Sequence, residues 1–484
     1  MQHFRLQTGR ASATVAFLII EFTATVNSAW AVEETNTAAT LANDAQVSSQ
    51  AATDTSAASE SSEPGETAAE KAGATETDGA AGEIQPTTAS DNTGAETAPI
   101  VEATSDPVQD QAGTVVDAPP AEEKKEKSWT DHFSLKGDFR YRFETIDITD
   151  TDDSKVRYRH RIRGRLGIDA KMAYGFKVGF QLATGSDDPV STNQTLTNAF
   201  STKPLWIDLA YLSFEPDYLK GLSLFAGKMK NPFRQAQKTE LVWDGDLNPE
   251  GIALGYEGDF GIAAPFLQTG GFFVEERKGE KDSWLLGVQA GLKLTFADGI
   301  IYLLAAGGYF DHTQIKGSTV YFDPEDGFGN STELAAPDDA ESAELAYLYD
   351  YNLVEGIFEL GGKIGRFPWA AFGSVVKNVA EDVDDDFGWL VGVTFGKCKK
   401  ALDFDLKYTY RLLESDAVLG LFTDSDFIGG GTNGRGHEWN LGFQALDAMK
   451  IAASLFYNQM PAHDEDDVKT DDYLRFQLDF EFKF

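Results

Sequence analysis

The chain is poor in cysteine and in positive charge. Its 484 residues include one cysteine, and 41 lysines and arginines stand against 78 aspartates and glutamates, which gives a formal net charge of -37. Cys398 has no partner for an internal disulfide, and no Cys/His spacing typical of a metal site occurs. The acidic balance argues against nucleic-acid binding, which requires a basic surface. We therefore expect no disulfide framework, no metal site and no nucleic-acid partner.

Long apolar segments are also missing. No stretch reaches the roughly 18 to 20 consecutive apolar residues of a transmembrane helix. Only helices and closed barrels satisfy all their backbone groups in lipid, so a membrane protein with this sequence would have to span as a β-barrel. The sequence contains no signature of a catalytic triad or of a phosphate-binding loop, and we expect neither an enzyme nor a cofactor.

The first 127 residues differ in composition from the rest. Residues 1–31 resemble a secretory signal peptide, with Arg5 and Arg10 ahead of a mainly apolar segment and Ala29-Trp30-Ala31 as the cleavage site. Residues 32–127 are acidic, of low complexity and nearly without aromatics, so they cannot bury enough apolar surface to offset the entropy of ordering. We predict a disordered periplasmic tail, which acts as a solvated tether or contacts peptidoglycan.

From about residue 128 to the end, apolar and polar residues alternate. Every second residue from Leu474 to Phe484 is Leu or Phe, and the residues between them are polar. Successive side chains of a strand point to opposite faces, so one face of this segment is apolar and the other polar. In a closed barrel the apolar face contacts lipid and the polar face lines a watery interior. A final strand that ends on Phe resembles those of bacterial outer-membrane β-barrels.

Sixteen segments between residues 128 and 484 are predicted as strands. They lie near 132–146, 155–172, 175–186, 204–215, 221–229, 251–259, 264–277, 283–297, 299–312, 346–360, 368–380, 386–397, 401–413, 435–447, 450–460 and 472–484. Long connections near 187–203, 230–250, 313–345 and 414–434 alternate with short ones, as extracellular loops alternate with periplasmic turns. The predicted fold class is all-β: a transmembrane antiparallel up-and-down β-barrel of about 16 strands with a disordered N-terminal extension.

The second predicted strand carries a ladder of basic residues on one face. Guanidinium groups that face lipid cost roughly 2–4 kcal/mol each at mid-depth, so this face must look into the lumen. One interpretation is a guide that draws anions or orients dipolar solutes; the other is that the ladder balances acids opposite it. The predicted pore-lining basic residues are Lys155, Arg157, Arg159, Arg161, Arg163 and Arg165, with Arg140 and Arg142 on the preceding strand.

The third outward loop, near residues 230–250, supplies the opposing charges. The segments 227–233 and 243–251 read Gly-Lys-Met-Lys-Asn-Pro-Phe and Trp-Asp-Gly-Asp-Leu-Asn-Pro-Glu-Gly. Both resemble motifs of the bacterial family known as putative porins, and the resemblance extends more loosely through the barrel but not into the tail. It implies a third loop that folds inward and narrows the pore; the alternative is a loop at the pore mouth. The implied constriction residues are Lys228, Lys230, Arg234, Asp244, Asp246 and Glu250.

These observations predict a porin of the outer membrane of a Gram-negative bacterium. Small hydrophilic solutes or ions would diffuse passively through a water-filled channel. The expected partners are outer-membrane lipid and lipopolysaccharide, and the resemblance to porins implies a homotrimer. The alternative is a structural or adhesive barrel with a plugged lumen, whose tail contacts peptidoglycan. Acidic runs at 150–153, 382–386 and 464–467 are interpreted as solvated charge in extracellular loops.

Overall fold

The computed structural model describes residues 129–149, 155–279, 281–335, 344–461 and 470–484. The predicted signal peptide, the predicted tail and the acidic runs at 150–153 and 464–467 lie outside the described residues. The described part of the chain contains no helix long and apolar enough to cross a membrane.

Sixteen antiparallel strands form a closed barrel in which each strand pairs with its neighbours in sequence. The barrel closes because β1 pairs with β16 over Asp138–Thr149 and Asp472–Lys483. The strands are β1 Phe133–Thr149, β2 Lys155–Lys171, β3 Phe176–Thr184, β4 Leu205–Phe214, β5 Leu222–Lys228, β6 Glu250–Glu257, β7 Ala263–Glu275, β8 Ser283–Phe296, β9 Ile301–His312, β10 Tyr351–Ile364, β11 Phe367–Asn378, β12 Phe387–Gly396, β13 Phe404–Leu413, β14 Gly434–Leu446, β15 Met449–Pro461 and β16 Thr470–Lys483.

The barrel confirms the predicted fold class and the number of strands. The main difference is β10, which was predicted over 346–360 and begins at Tyr351. Leu345–Tyr347 instead pairs with Thr332–Leu334 in a separate two-stranded sheet within the preceding loop. Ala346 and Tyr347 are apolar, as they would be in a strand of the barrel. The local sequence therefore does not distinguish an extension of β10 from pairing within the loop.

The terminal strand closes the barrel as its alternation predicted. Arg142 is registered opposite Asp479 and Arg140 opposite Glu481, so the polar residues of β1 and β16 share the inner face. Leu474 and Phe482 are exposed on the outer face, whereas Arg475 is buried inside. The period of two is therefore sufficient to assign the inner face of this seam.

Four long loops extend from one end of the barrel, and all four contribute to an apolar cluster inside it. Loop 2 is defined as residues 185–204, loop 3 as 229–249, loop 5 as 313–350 and loop 7 as 414–433. Loop 2 contributes Val190 alone, whereas loops 3, 5 and 7 contribute several residues each, such as Trp243, Ile315 and Leu419. They pack with inward residues of β6 to β13, such as Phe310. The interior of the barrel is thus packed on one side, and charged residues line the other side.

Gly137 in β1 marks the closest approach at the seam. Its N–H and C=O pair with the backbone of Phe484, both at 3.1 Å. A Cβ here would lie 2.8 Å from the Arg165 carbonyl oxygen and 2.4 Å from the Phe484 ring. A side chain at this position must therefore displace the Phe484 ring and the β2 backbone at Arg165.

We expect Gly137→Ala to weaken barrel closure by about 1–3 kcal/mol, because overpacking forces a backbone shift. Heat-modifiable electrophoretic mobility after refolding would report a smaller folded fraction. Gly307→Ala in β9 is the matched control, since its Cβ would meet no atom closer than 3.7 Å. Equal folded fractions for the two variants would contradict this prediction.

Candidate functional site

The basic ladder lies on the inner face of the barrel at the seam of β1, β2 and β16. Arg159, Arg161, Arg163 and Arg165 of β2 are half-buried or buried, while Val156, Tyr158 and Leu166 are exposed on the other face. Arg140 and Arg142 of β1 and Arg475 of β16 extend the same charged wall. We call this set, Arg140, Arg142, Arg159, Arg161, Arg163, Arg165 and Arg475, the basic wall.

Acidic residues of the same strands compensate the charge of the basic wall. Glu144 is fully buried and pairs with Arg475 at 2.8 Å, with Arg161 at 3.8 Å, and closely with Arg159. Asp138 pairs with Arg163 at 2.9 Å and with Arg165 at 2.8 Å. Other acids contact the remaining members, so each guanidinium group of the basic wall lies within 4.0 Å of a carboxylate.

Loop 3 crosses the interior of the barrel. At one end Asp246 pairs with Arg165 of β2 at 3.3 Å. At the other, the Gln237 side-chain amide donates to Glu359 of β10 at 2.6 Å. Because β2 and β10 are eight strands apart in a barrel of sixteen, these contacts lie on opposite walls. Loop 3 therefore divides the lumen along a diameter.

An apolar anchor holds loop 3 against one wall. The Trp243 side chain is only 1% exposed. Its ring lies 5.0 Å from that of Phe310 on β9 and 6.1 Å from that of Phe233, which belongs to loop 3 itself. Burial of a tryptophan contributes a large apolar area, so this contact favours the position of loop 3 against β9.

Loop 7 also enters the barrel, although the sequence pattern predicted only an extracellular loop there. The Asp244 N–H donates to the Phe422 carbonyl at 2.8 Å, and the Ser425 N–H donates back to the Asp244 carboxylate at 3.0 Å. The Thr423 hydroxyl donates to the Leu241 carbonyl at 3.0 Å. Loops 3 and 7 are therefore joined inside the lumen. The signal that was overlooked is the apolar segment 417–422, which is unusual for a loop in water.

Loop 7 also brings an acid to the basic wall. The Asp426 carboxylate lies 2.7 Å from Arg475 and 3.1 Å from Arg142. Burial alone raises the pKa of Asp426, yet the guanidinium groups of Arg475 and Arg142 outweigh burial and hold that pKa well below its usual range. Asp426 therefore remains ionised and neutralises part of the basic wall.

Three carboxyl groups meet where loops 3 and 7 join. Oxygens of Glu240, Asp244 and Asp424 all lie within 4.8 Å of one another. Burial raises the pKa of Glu240 and of Asp244 well above the usual carboxyl range, and their acidic neighbours raise both further. Asp424 already pairs with Arg411 at 2.7 Å, and Asp244 already accepts two backbone N–H bonds, so we assign no metal to this group.

The other predicted constriction residues divide into two groups. Lys228 and Glu250 pair with each other at 2.8 Å on β5 and β6, on the outward face that carries exposed Ile252, and the structure does not bring them to the basic wall. Lys230 of loop 3 lies within electrostatic range of Asp246, Arg163 and Arg165 at the basic wall. Arg234 of loop 3 instead pairs with Glu257 at 2.5 Å.

Two further members of the predicted ladder lie at the start of β2. Arg157 is exposed there, and the side chain of Lys155 is outside the described part of the structure.

Comparison with known proteins places the chain in a family. A model of the family described as putative porin matches residues 145–340 and 367–453, which together make up more than half of the chain. No protein of curated function matches the sequence.

Several solved structures are similar to the barrel. The high-pH structure of OprB of Pseudomonas putida has 12% sequence identity to this chain. The alignment covers 73% of this chain and 94% of the OprB chain, with a TM-score of 0.47. The outer membrane channel DcaP of Acinetobacter baumannii is 14% identical and covers 73% of this chain and 97% of its own, with a TM-score of 0.40. The trimer form of OmpT of Vibrio cholerae is 12% identical and covers 73% of this chain and 100% of its own, with a TM-score of 0.41.

Proposed function

The chain belongs to the putative porin family and is an outer-membrane channel, and we propose that small hydrophilic solutes and ions diffuse passively through it. The observation that carries this proposal is the division of the interior by loop 3. One side is filled by apolar packing, while the other keeps the basic wall facing loops 3 and 7. Charged walls on both sides of a narrow opening favour polar over apolar solutes.

We propose that the basic wall orients dipolar solutes and has only weak preference between anions and cations. Its guanidinium groups are paired with carboxylates of β1 and β16, with Asp246 of loop 3 and with Asp426 of loop 7. Paired charges of opposite sign create a local field across the opening without a large net potential along it. Asp244 and Asp246 would belong to the constriction, as the family resemblance implies.

The channel is expected to conduct ions in planar lipid bilayers, with a reversal potential close to zero in a potassium chloride gradient. Swelling of liposomes that contain the purified full chain would measure the flux of sugars and amino acids. Empty liposomes are the control. Liposomes that neither swell nor conduct above this background would overturn the proposed channel.

A structural barrel is the second candidate, because the buried cluster of loops 3, 5 and 7 is what a plugged lumen requires. In that case conductance steps would be absent, whereas truncation of residues 32–127 would weaken the cell envelope. We propose that residues 32–127 serve as a periplasmic tether and that the channel assembles as a homotrimer. Chemical crosslinking in native outer membranes would detect the trimer.

A further inference from the structure

A polar cavity lies between loop 3, loop 7 and the strands β1 and β13 to β16. Its volume is about 190 Å³, and almost none of its lining is apolar. The lining carries four acidic and four basic side chains, so the cavity has no formal net charge when all of them are ionised. A ligand that fits this lining needs charged or strongly polar groups and little apolar surface.

Three of the acidic and three of the basic side chains pair with one another. The pairs are Arg142 with Asp426 at 3.1 Å, Arg411 with Asp424 at 2.7 Å, and Lys407 with Glu438 at 3.8 Å. These side chains need no ligand to compensate their charge.

One basic and one acidic side chain of the lining do not belong to these three pairs. Among the residues that the structure describes, Lys238 and Glu240 have no partner of opposite charge within 4.0 Å. Lys238 is exposed, and the Glu240 carboxylate accepts one hydrogen bond, from the Gly245 N–H at 2.8 Å. Both belong to the same short stretch of loop 3 and line the same cavity. When Glu240 is ionised, the cavity therefore offers one available cation and one available anion to a solute.

From this arrangement we propose that the cavity is a binding site for small zwitterions of the α-amino-acid type. The carboxylate of the solute would pair with the Lys238 ammonium group, and its ammonium group with the Glu240 carboxylate. A simple anion or a simple cation would satisfy only one of these charges. This inference rests on the proposed function, because it names the class of solute that the channel would hold on its way through.

The charges around Glu240 give binding a defined dependence on pH. Burial raises the pKa of Glu240, and Asp244 and Asp424 beside it raise this pKa further. A neutral carboxyl attracts an ammonium group only weakly, so the affinity for the zwitterion is expected to increase as pH rises through this pKa. The charged groups that act on Glu240 are Asp244 on loop 3, Asp424 and Asp426 on loop 7, and Lys407 on β13. Arg411 of β13 also donates to the Glu240 backbone carbonyl at 3.3 Å.

Isothermal titration calorimetry of the full chain in detergent, repeated over a rising series of pH values, would test the site with glycine as the probe, and the comparison is made where Glu240 is ionised. Acetate carries only the carboxylate charge of glycine, and methylammonium carries only its ammonium charge. We expect glycine to bind at least about tenfold more tightly than either, because two charge-assisted contacts form instead of one. Equal affinity for acetate or methylammonium would overturn the proposal, and this comparison needs no variant.

Variants of Lys238 and Glu240 provide a second test of the site. Lys238→Gln and Glu240→Gln should each lower the affinity for glycine about tenfold. The double exchange Lys238→Glu with Glu240→Lys should restore it to within a fewfold, since the zwitterion can reverse its orientation. Lys316→Gln on exposed loop 5 is the matched control. Unchanged affinity in both single variants would contradict the assignment.

Conductance measured in parallel separates this inference from the proposed function. If the channel conducts but glycine does not bind, the zwitterion site is overturned while the channel is supported. If glycine binds with the expected dependence on Lys238 and Glu240 but no conductance occurs, the site is supported and the channel is overturned.

Discussion

Replacement of Asp426 by asparagine is expected to shift the channel clearly toward anions. Asp426 lies between Arg142 and Arg475 and is the acid that loop 7 contributes to the basic wall. Asparagine keeps the shape and the hydrogen-bond acceptor but removes the negative charge, so both guanidinium groups lose a counter-ion. We expect the anion-to-cation permeability ratio to rise about threefold or more, measured as reversal potential in a salt gradient.

The effect should persist across the neutral range of pH. The pKa of Asp426 is held well below its usual range by the two arginines, so the wild-type carboxylate stays ionised down to acidic conditions. Loss of one charged acceptor should cost about 1–3 kcal/mol of stability. Arg142 retains Asp479 at 2.7 Å and Arg475 retains Glu144 at 2.8 Å, so the barrel is expected to fold.

Asp382→Asn is the matched control for the Asp426 variant. It removes the same charge from an exposed position in the connection between β11 and β12. If the reversal potentials of the two variants shifted equally, a general surface-charge effect would explain the result, and the role of Asp426 would be refuted.

The second large effect is expected for Trp243→Ala, which removes the apolar anchor of loop 3. Truncation of a fully buried tryptophan typically costs about 3–5 kcal/mol. This energy holds the loop against Phe310, and its loss should let loop 3 leave the lumen while the barrel strands remain paired. We expect single-channel conductance to rise about twofold or more, because pore area limits conductance.

Limited proteolysis gives an independent readout of the same variant. Loop 3 should become a cleavage site in Trp243→Ala, since a protease needs a locally unfolded segment. Trp439→Ala is the matched control, because Trp439 lies on the outer face of β14 and is partly exposed. Unchanged conductance together with an uncleaved loop 3 would show that Trp243 does not determine the opening.

The strands could be predicted closely from the sequence, because the pattern that specifies each of them is local. Alternation with period two assigns an inner and an outer face to each strand, and in β16 it placed Arg475 and Asp479 inside. Side chains that face lipid must be apolar, so a strand with this alternation can be oriented in few other ways. The resemblance of 227–233 and 243–251 to putative porins supplied the family.

The positions of the loops could not be predicted in the same way. Arg142 and Asp426 are 284 residues apart in sequence, and nothing in either neighbourhood encodes their contact. Lys228 and Glu250 illustrate the opposite error, because they belong to the resembling motifs but pair on the outer face of the barrel. A motif fixes the positions of residues along the chain. Whether they face the inside or the outside of the barrel depends on where the strand ends.

By itself, the sequence determined that this chain forms a sixteen-stranded barrel with the arginines of β2 inside. The reason is that the alternation of apolar and polar residues within each strand indicates which face contacts lipid. Only the tertiary structure decided that loops 3, 5 and 7 fill one side of the interior and that Asp426 reaches the basic wall. Within the described part of the chain, it also left Lys238 and Glu240 as the two charges of the cavity without an oppositely charged partner. These arrangements depend on packing between segments that are distant in sequence, for which no local periodicity exists.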